Sequence, residues 1–197
     1  MSLVEKVERA KSDYDEVYEA GKQAEYDAFW DSYQNDGSRR DYQFAFCKWT
    51  DACYKPKYPI VITSSKYTQL FYDSKITDTL VDIDVSHSSN TSAMYLAFGF
   101  MTSLVTIRKL IVHEGLGYNG TFSACGNLEN LTIEGTIGQN GFNVSACTEL
   151  SHDSLMSIIN HLKDGVSGLT VTLGSTNLAK LTDAEKAIAT QKGWTLA

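Results

Sequence analysis

The segment FSACGNL at 122 to 128 returns as VSACTEL at 144 to 150, and more loosely as FGFMTSL at 98 to 104. An aromatic or aliphatic residue, a sulfur residue three later and a leucine three after that thus recur from 98 to 122 and again from 122 to 144. Periods of this size mark architectures in which each repeat is one turn of a stack. A single turn buries too few side chains to offset the ordering of its own backbone. Neighbouring turns must therefore share a core and a hydrogen-bond ladder, and both ends of the stack need covers.

Each copy leads into a segment with the grammar of a strand. Leu128 is succeeded by Leu131 and Ile133, and the same pattern appears earlier as Leu80, Ile83 and Val85. In the copy that begins at Phe98, Leu104 is succeeded by Ile107, then by Leu110 and Val112, as if three residues had been inserted. Leu169, Val171 and Leu173 repeat the alternation near the end. Period two places alternate side chains on one buried face. Each repeat is expected to be a short strand plus a return segment. The expected core is Phe98, Met101, Leu104, Phe122, Cys125, Leu128, Leu131, Ile133, Val144, Cys147 and Leu150.

The chain divides into four regions. Residues 1–36 carry Leu3, Val7, Ala10, Tyr14, Val17, Gly21, Ala24 and Ala28 at alternating spacings of four and three, which predicts a helix with a coiled-coil seam. Residues 3–33 are therefore a candidate surface for homo-oligomerisation, and an amphipathic helix packed on its own domain is the competing reading. Residues 37–60 are rich in aromatics (Tyr42, Phe44, Phe46, Trp49, Tyr54 and Tyr58) and hold both prolines of the chain, which suits an extended N-terminal cap. A carbohydrate platform is the second reading of those aromatics. Residues 61–150 form the repeat body. Residues 151–197 predict helix, strand, helix and strand as a C-terminal cap, with Ser151 or Asp153 opening the first helix. Thr182 and Glu185 form a capping box for the second.

Charge and composition narrow the function. The formal net charge is −7 and the pI near 5.0. No basic stripe is available to replace the counterions of a nucleic acid or to meet an anionic membrane. No apolar run approaches bilayer length, so no membrane insertion is expected, and MSLVEKVERAKSDYDE lacks the apolar stretch of a signal peptide. Cys125 and Cys147 occupy the same place in successive repeats and are read as a stacked pair of buried thiols; a disulfide between adjacent turns is within reach but not required. Cys47 and Cys53 lack the spacing of a zinc site.

Chemistry-bearing motifs are few. Asp82 and Asp84 alternate on a predicted strand and share a face; a solvated strand face is favoured over acid–base or calcium chemistry. His87, His113, His152 and His161 show no metal-ligand spacing. GLGYNG at 115–120 is a turn without the lysine and hydroxyl residue of a phosphate loop. No catalytic residue, metal or cofactor is assigned. With Ile83/Val85, Leu110/Val112, Leu131/Ile133 and Val171/Leu173 pointing inward, the outward column is Asp84, Ile111, Thr132 and Thr172, flanked by Asp82, Lys109, Asn130 and Thr170. This column is the expected binding face, for a protein or a glycan.

The segments AFGFMTSL, TFSACGNLENLTI and NVSACTEL resemble the BspA-like leucine-rich repeats, a bacterial surface-protein class. The flanks QAEYDAFWDSYQNDGSRRDYQFAF and LTDAEKAIATQKGWTL resemble gut-bacterial and prophage-encoded proteins of this repeat type. The resemblance implies an α/β repeat fold: a short leucine-rich-repeat solenoid with an N-terminal helix and an α/β C-terminal cap. It also implies protein binding or adhesion in a cell-surface or phage-tail setting, without enzymatic activity. The rival expectation is a carbohydrate-active hydrolase on a β-helix, for which only Asp82 and Asp84 approach the needed pair of carboxylates.

Overall fold

The computed structural model describes residues 60–61, 69–74, 79–80 and 82–197. The heptad pattern of residues 3–33 and the aromatic segment 37–59 lie outside the described residues. The described part is a small mixed α/β arrangement with parallel strands.

Five strands form the larger sheet: β1 (Ile60–Val61), β2 (Thr79–Leu80), β3 (Ile83–Asp84), β4 (Thr106–Val112) and β5 (Asn130–Gly135). All pairings are parallel. Ile60 stands opposite Ile83, and β2 and β3 lie end to end along one side of β4, with β5 along the other. The register aligns Leu80, Ile107 and Leu131 in one row and Ile83, Leu110 and Ile133 in the next. Ile83, Ile107, Leu110, Leu131 and Ile133 are buried, as period two requires.

This register corrects the sequence alignment of the third strand. Leu131 lies abreast of Ile107, and Ile133 abreast of Leu110, so Leu131 and Ile133 do not match Leu110 and Val112. The three-residue insertion expected after Leu104 is a single extra residue. Between Ile107 and Leu110 the register of β4 slips, and Arg108 and Lys109 together face the one residue Thr132. Two residues against one is a β-bulge, which bends the strand and re-aims side chains. Leu80 and Ile83 keep the same wider spacing opposite Ile107 and Leu110, and β5 lacks the extra residue that they share with β4.

The return segments explain the three-residue spacing. Cys125 N–H donates to the Phe122 carbonyl and Leu128 N–H to that of Cys125; Met101 and Leu104 do the same from Phe98, and Cys147 and Leu150 from Val144. Successive i to i+3 turns eclipse every third side chain, so all nine residues face one way, and all nine are buried. Ser74 repeats the pattern on Phe71, an earlier copy that its serine hides from a search for sulfur. The rings of Phe71, Phe98, Phe122 and Phe142 lie in a column with successive centroids 5.8, 5.6 and 5.4 Å apart. Backbone bonds link the returns laterally, from Phe71 N–H to the Ala97 carbonyl and from Phe98 N–H to that of Thr121. Cys125 Sγ donates to the Phe98 carbonyl of the neighbouring segment at 2.9 Å.

Among the described residues no strand of this sheet lies beyond β5. Helix α1 (His152–Asn160) comes directly after Leu150, with Ser151 as its N-cap, and buries Leu155, Ile158 and Ile159. Its hydroxyls take the place of a next strand. Ser154 Oγ accepts from Leu131 N–H and Ser157 Oγ from Ile133 N–H, both at 2.9 Å. Ser154 Oγ also donates to the Glu129 carbonyl at 3.1 Å, and Ser151 N–H does so at 2.8 Å. An edge strand is a template for unwanted pairing, and these serines close it. Changing Ser154 and Ser157 together to alanine leaves two buried amides unpaired. The expected cost is about 1–3 kcal/mol for each, with faster hydrogen exchange at Leu131 and Ile133. Unchanged exchange at those two amides would refute the sealing role.

A second, two-stranded sheet completes the chain. Strand β6 (Leu169–Val171) pairs in parallel with β7 (Trp194–Leu196), across a connection holding α2 (Ser175–Leu178) and α3 (Asp183–Gln191). Thr182 caps α3 and forms the capping box with Glu185. Helix α2 has no counterpart in the sequence pattern: it is four residues long, and its buried Asn177 donates to the carbonyls of Val144, Cys147 and Leu173. Lys180 Nζ reaches the Thr148 and Leu150 carbonyls, each at 2.7 Å, and Lys192 Nζ reaches those of Asn160 and Leu162 at 2.5 and 3.0 Å. Both lysines therefore satisfy carbonyls that end a turn or a helix.

Candidate binding face

The outer face of the larger sheet carries its polar residues. Along β4 the side chains of Ile107, Leu110 and Val112 are buried, while Arg108, Lys109 and Ile111 lie toward solvent. The bulge puts two cations side by side where a regular strand would present one. Each has an acidic partner beside it, Asp82 just before β3 and Glu134 on β5. Arg108 Nε donates to Asp82 Oδ1 at 2.7 Å, and Lys109 Nζ meets Glu134 Oε1 at 2.6 Å. Asp82 holds the guanidinium more firmly charged through that hydrogen bond, and Glu134 does the same for the Lys109 ammonium. The two pairs run across three strands as a charged row with Ile111 beside it. Exposed pairs such as these add little to stability. Their consequence is a fixed arrangement of charge.

The structure sorts the expected face residues into three groups. Asp82, Asp84, Lys109 and Ile111 lie on the larger sheet or at its strand junction, and Asp84 stands abreast of Ile111. Asp84 Oδ1 is occupied by Ser86, accepting from its amide at 2.9 Å and its hydroxyl at 2.6 Å. Asn130 and Thr132 are on the same sheet and exposed, and Asn130 Nδ2 donates to Thr106 Oγ1 at 3.3 Å. Thr132 is not in line with Ile111, however; Glu134 holds that place, because β4 carries one extra residue where the sequence alignment assumes three. Thr170 and Thr172 belong elsewhere. Thr170 is in β6 of the second sheet, and Thr172 makes an isolated bridge to Asn143. The chain leaves the larger sheet at α1, so the outward column does not extend to them.

Arg108 and Glu134 are face residues that period two alone does not pick out. Their signal is the spacing of three between Ile107 and Leu110, where a regular strand has two. Arg108 is 61% exposed and Glu134 45%. Among the described residues no three His, Cys, Asp or Glu side chains cluster as metal ligands. The histidines make local contacts: His113 Nε2 with the Ser88 carbonyl at 3.1 Å, His152 Nε2 with Glu185 Oε1 at 2.8 Å and His161 Nδ1 with the Ser157 carbonyl at 2.8 Å. Cys125 and Cys147 are free, buried thiols. No helix among the described residues is long and apolar enough to cross a membrane.

Among the described residues, the exposed aromatics are on the return segments, away from this row. Tyr95 is 40% and Phe100 44% exposed, and the Phe100 ring lies 5.3 Å from that of Tyr72. Compared with known proteins, the chain matches no protein-family model, no curated protein and no solved structure.

Proposed function

We propose that this chain is a non-enzymatic binding module, a short leucine-rich-repeat solenoid whose sheet face recognises a protein surface. The observation that carries the reading is the bulged strand β4, with its row Asp82–Arg108 and Lys109–Glu134 beside Ile111. Two cations side by side, each flanked by a carboxylate and set beside an apolar residue, suit a complementary protein face, where charge pattern selects the partner. A sugar platform would favour aromatic rings on that face, and the described face residues include none. The family resemblance favours adhesion or a structural role at a cell surface or phage tail.

Arg108→Ala with Lys109→Ala removes both cations and leaves the sheet core untouched. Binding would be measured for both chains on an array of purified proteins and an array of glycans. A loss of tenfold or more on protein partners, with an unchanged melting temperature, supports the reading. Equal binding by both chains removes the face, and binding confined to glycans replaces the protein partner with a sugar. Polysaccharide turnover abolished by Asp82→Asn would instead establish the hydrolase.

A further inference from the structure

The two sheets end differently. The outer side of β5 is closed by Ser151, Ser154 and Ser157, and the 142–144 segment is met by Thr172, whose amide donates to Phe142 and whose carbonyl accepts from Val144. Strand β7 pairs with β6 on one side, and among the described residues no strand pairs with its other side. Alongside β7 runs an open groove of about 420 Å³, lined by Leu178, Lys186, Thr190, Trp194, Thr195 and Leu196. Its wall combines apolar surface, a strand edge and one ammonium group.

Lys186 differs from the other two lysines of this region. Lys180 and Lys192 are engaged by backbone carbonyls. Among the described residues the partner of Lys186 is Asp183 at 3.7 Å, and that carboxylate is fully exposed. Such a pair is weak and readily exchanged for another carboxylate.

We propose that the free side of β7 is a docking site for an extended polypeptide of a partner protein, bound as an added strand. The partner segment alternates apolar and other residues and carries a glutamate or aspartate. Its main chain pairs with β7, an apolar side chain lies against Leu178 and Leu196, and its carboxylate reaches Lys186. Main-chain bonds supply affinity in this mode and alternate side chains supply selectivity. The lysine sets the sign of the partner's charge, and a chain of net charge −7 offers little else to attract an acidic segment. The site is separate from the row on β4, so either proposal can fail without the other.

The test titrates acetyl-Thr-Val-Glu-Val-Thr-Val-amide into the isotope-labelled full chain and follows backbone amides by NMR. The expected result is saturable binding with Kd below about 1 mM, with the amides of Trp194 to Leu196 shifting and gaining protection from exchange. Lys186→Glu should weaken it about tenfold, and a copy of the peptide N-methylated along its pairing edge should not bind. No shift at Trp194 to Leu196 up to millimolar peptide overturns the proposal. So does equal binding by the methylated peptide, or by Lys186→Glu. A chain that dimerises through β7 and excludes the peptide also overturns it.

Discussion

Gly135→Ala is expected to lower stability by about 2–5 kcal/mol, a large share of the roughly 5–15 kcal/mol that a domain has in reserve. Two causes add. Gly135 has φ +86°, where an L side chain costs about 1–2 kcal/mol. A Cβ there would also stand 1.9 Å from the Val112 carbonyl oxygen, a backbone atom that pairing between β4 and β5 holds in place. Relief requires the strands to part, at a cost resembling that of overpacking, about 1–3 kcal/mol. Gly165→Ala is the control, because its φ is +69° and nothing lies within 4 Å of the added carbon. Urea midpoints should separate the two variants by at least about 1–3 kcal/mol. Equal losses would mean that the β4–β5 ladder yields freely at its end.

Stability should also fall steeply in alkali, through the two stacked thiols. Burial raises the Cys125 thiol from its ordinary 9.0 to about 12, and it raises Cys147 as well, with repulsion from a Cys125 thiolate adding to the effect. The fold thus favours the neutral thiol. Below the unfolded value both states hold the proton and the full stability is present. Above it the unfolded chain releases protons that the native chain keeps, so stability declines as pH rises. Two such groups give a slope of about 2.7 kcal/mol per pH unit between about pH 9 and pH 12. Tyr118 adds to the decline at higher pH, since burial raises its phenol too and its hydroxyl has no hydrogen-bond partner among the described residues. Urea unfolding at several pH values, for the native chain and for Cys125→Ala with Cys147→Ala, isolates the thiol contribution. The double variant should lose most of the slope whatever its stability at neutral pH. Parallel curves would exclude the thiols as its source.

How much of the fold is legible in the sequence depends on how local each signal is. Phe122, Cys125 and Leu128 are legible because their spacing is set by consecutive three-residue turns within one segment. Helices α1 and α3 are legible for the same reason: Ser151 and the Thr182–Glu185 capping box act within one turn. Strand register is not legible, because it depends on two segments at once. A spacing of three between Ile107 and Leu110 can be an insertion of any length until the neighbouring strand is placed against it. The face residues inherit that ambiguity. Lys109 and Ile111 sit on β4 itself and are found by alternation, Glu134 is hidden by the register, and Thr170 and Thr172 are assigned by alternation to a sheet that α1 has already closed. Asn177 gives little local signal, because two of the three carbonyls it serves, those of Val144 and Cys147, come from a distant part of the chain.

The extra residue shared by the β2–β3 line and β4, and missing from β5, bears on how such a chain can grow. A duplicated copy of the turn containing β4, spliced in before β4, meets neighbours of matching spacing on both flanks. The same copy spliced in after β5 would have to displace the serines of α1 from the Leu131 and Ile133 amides. An added strand is therefore accommodated before β4 and obstructed after β5.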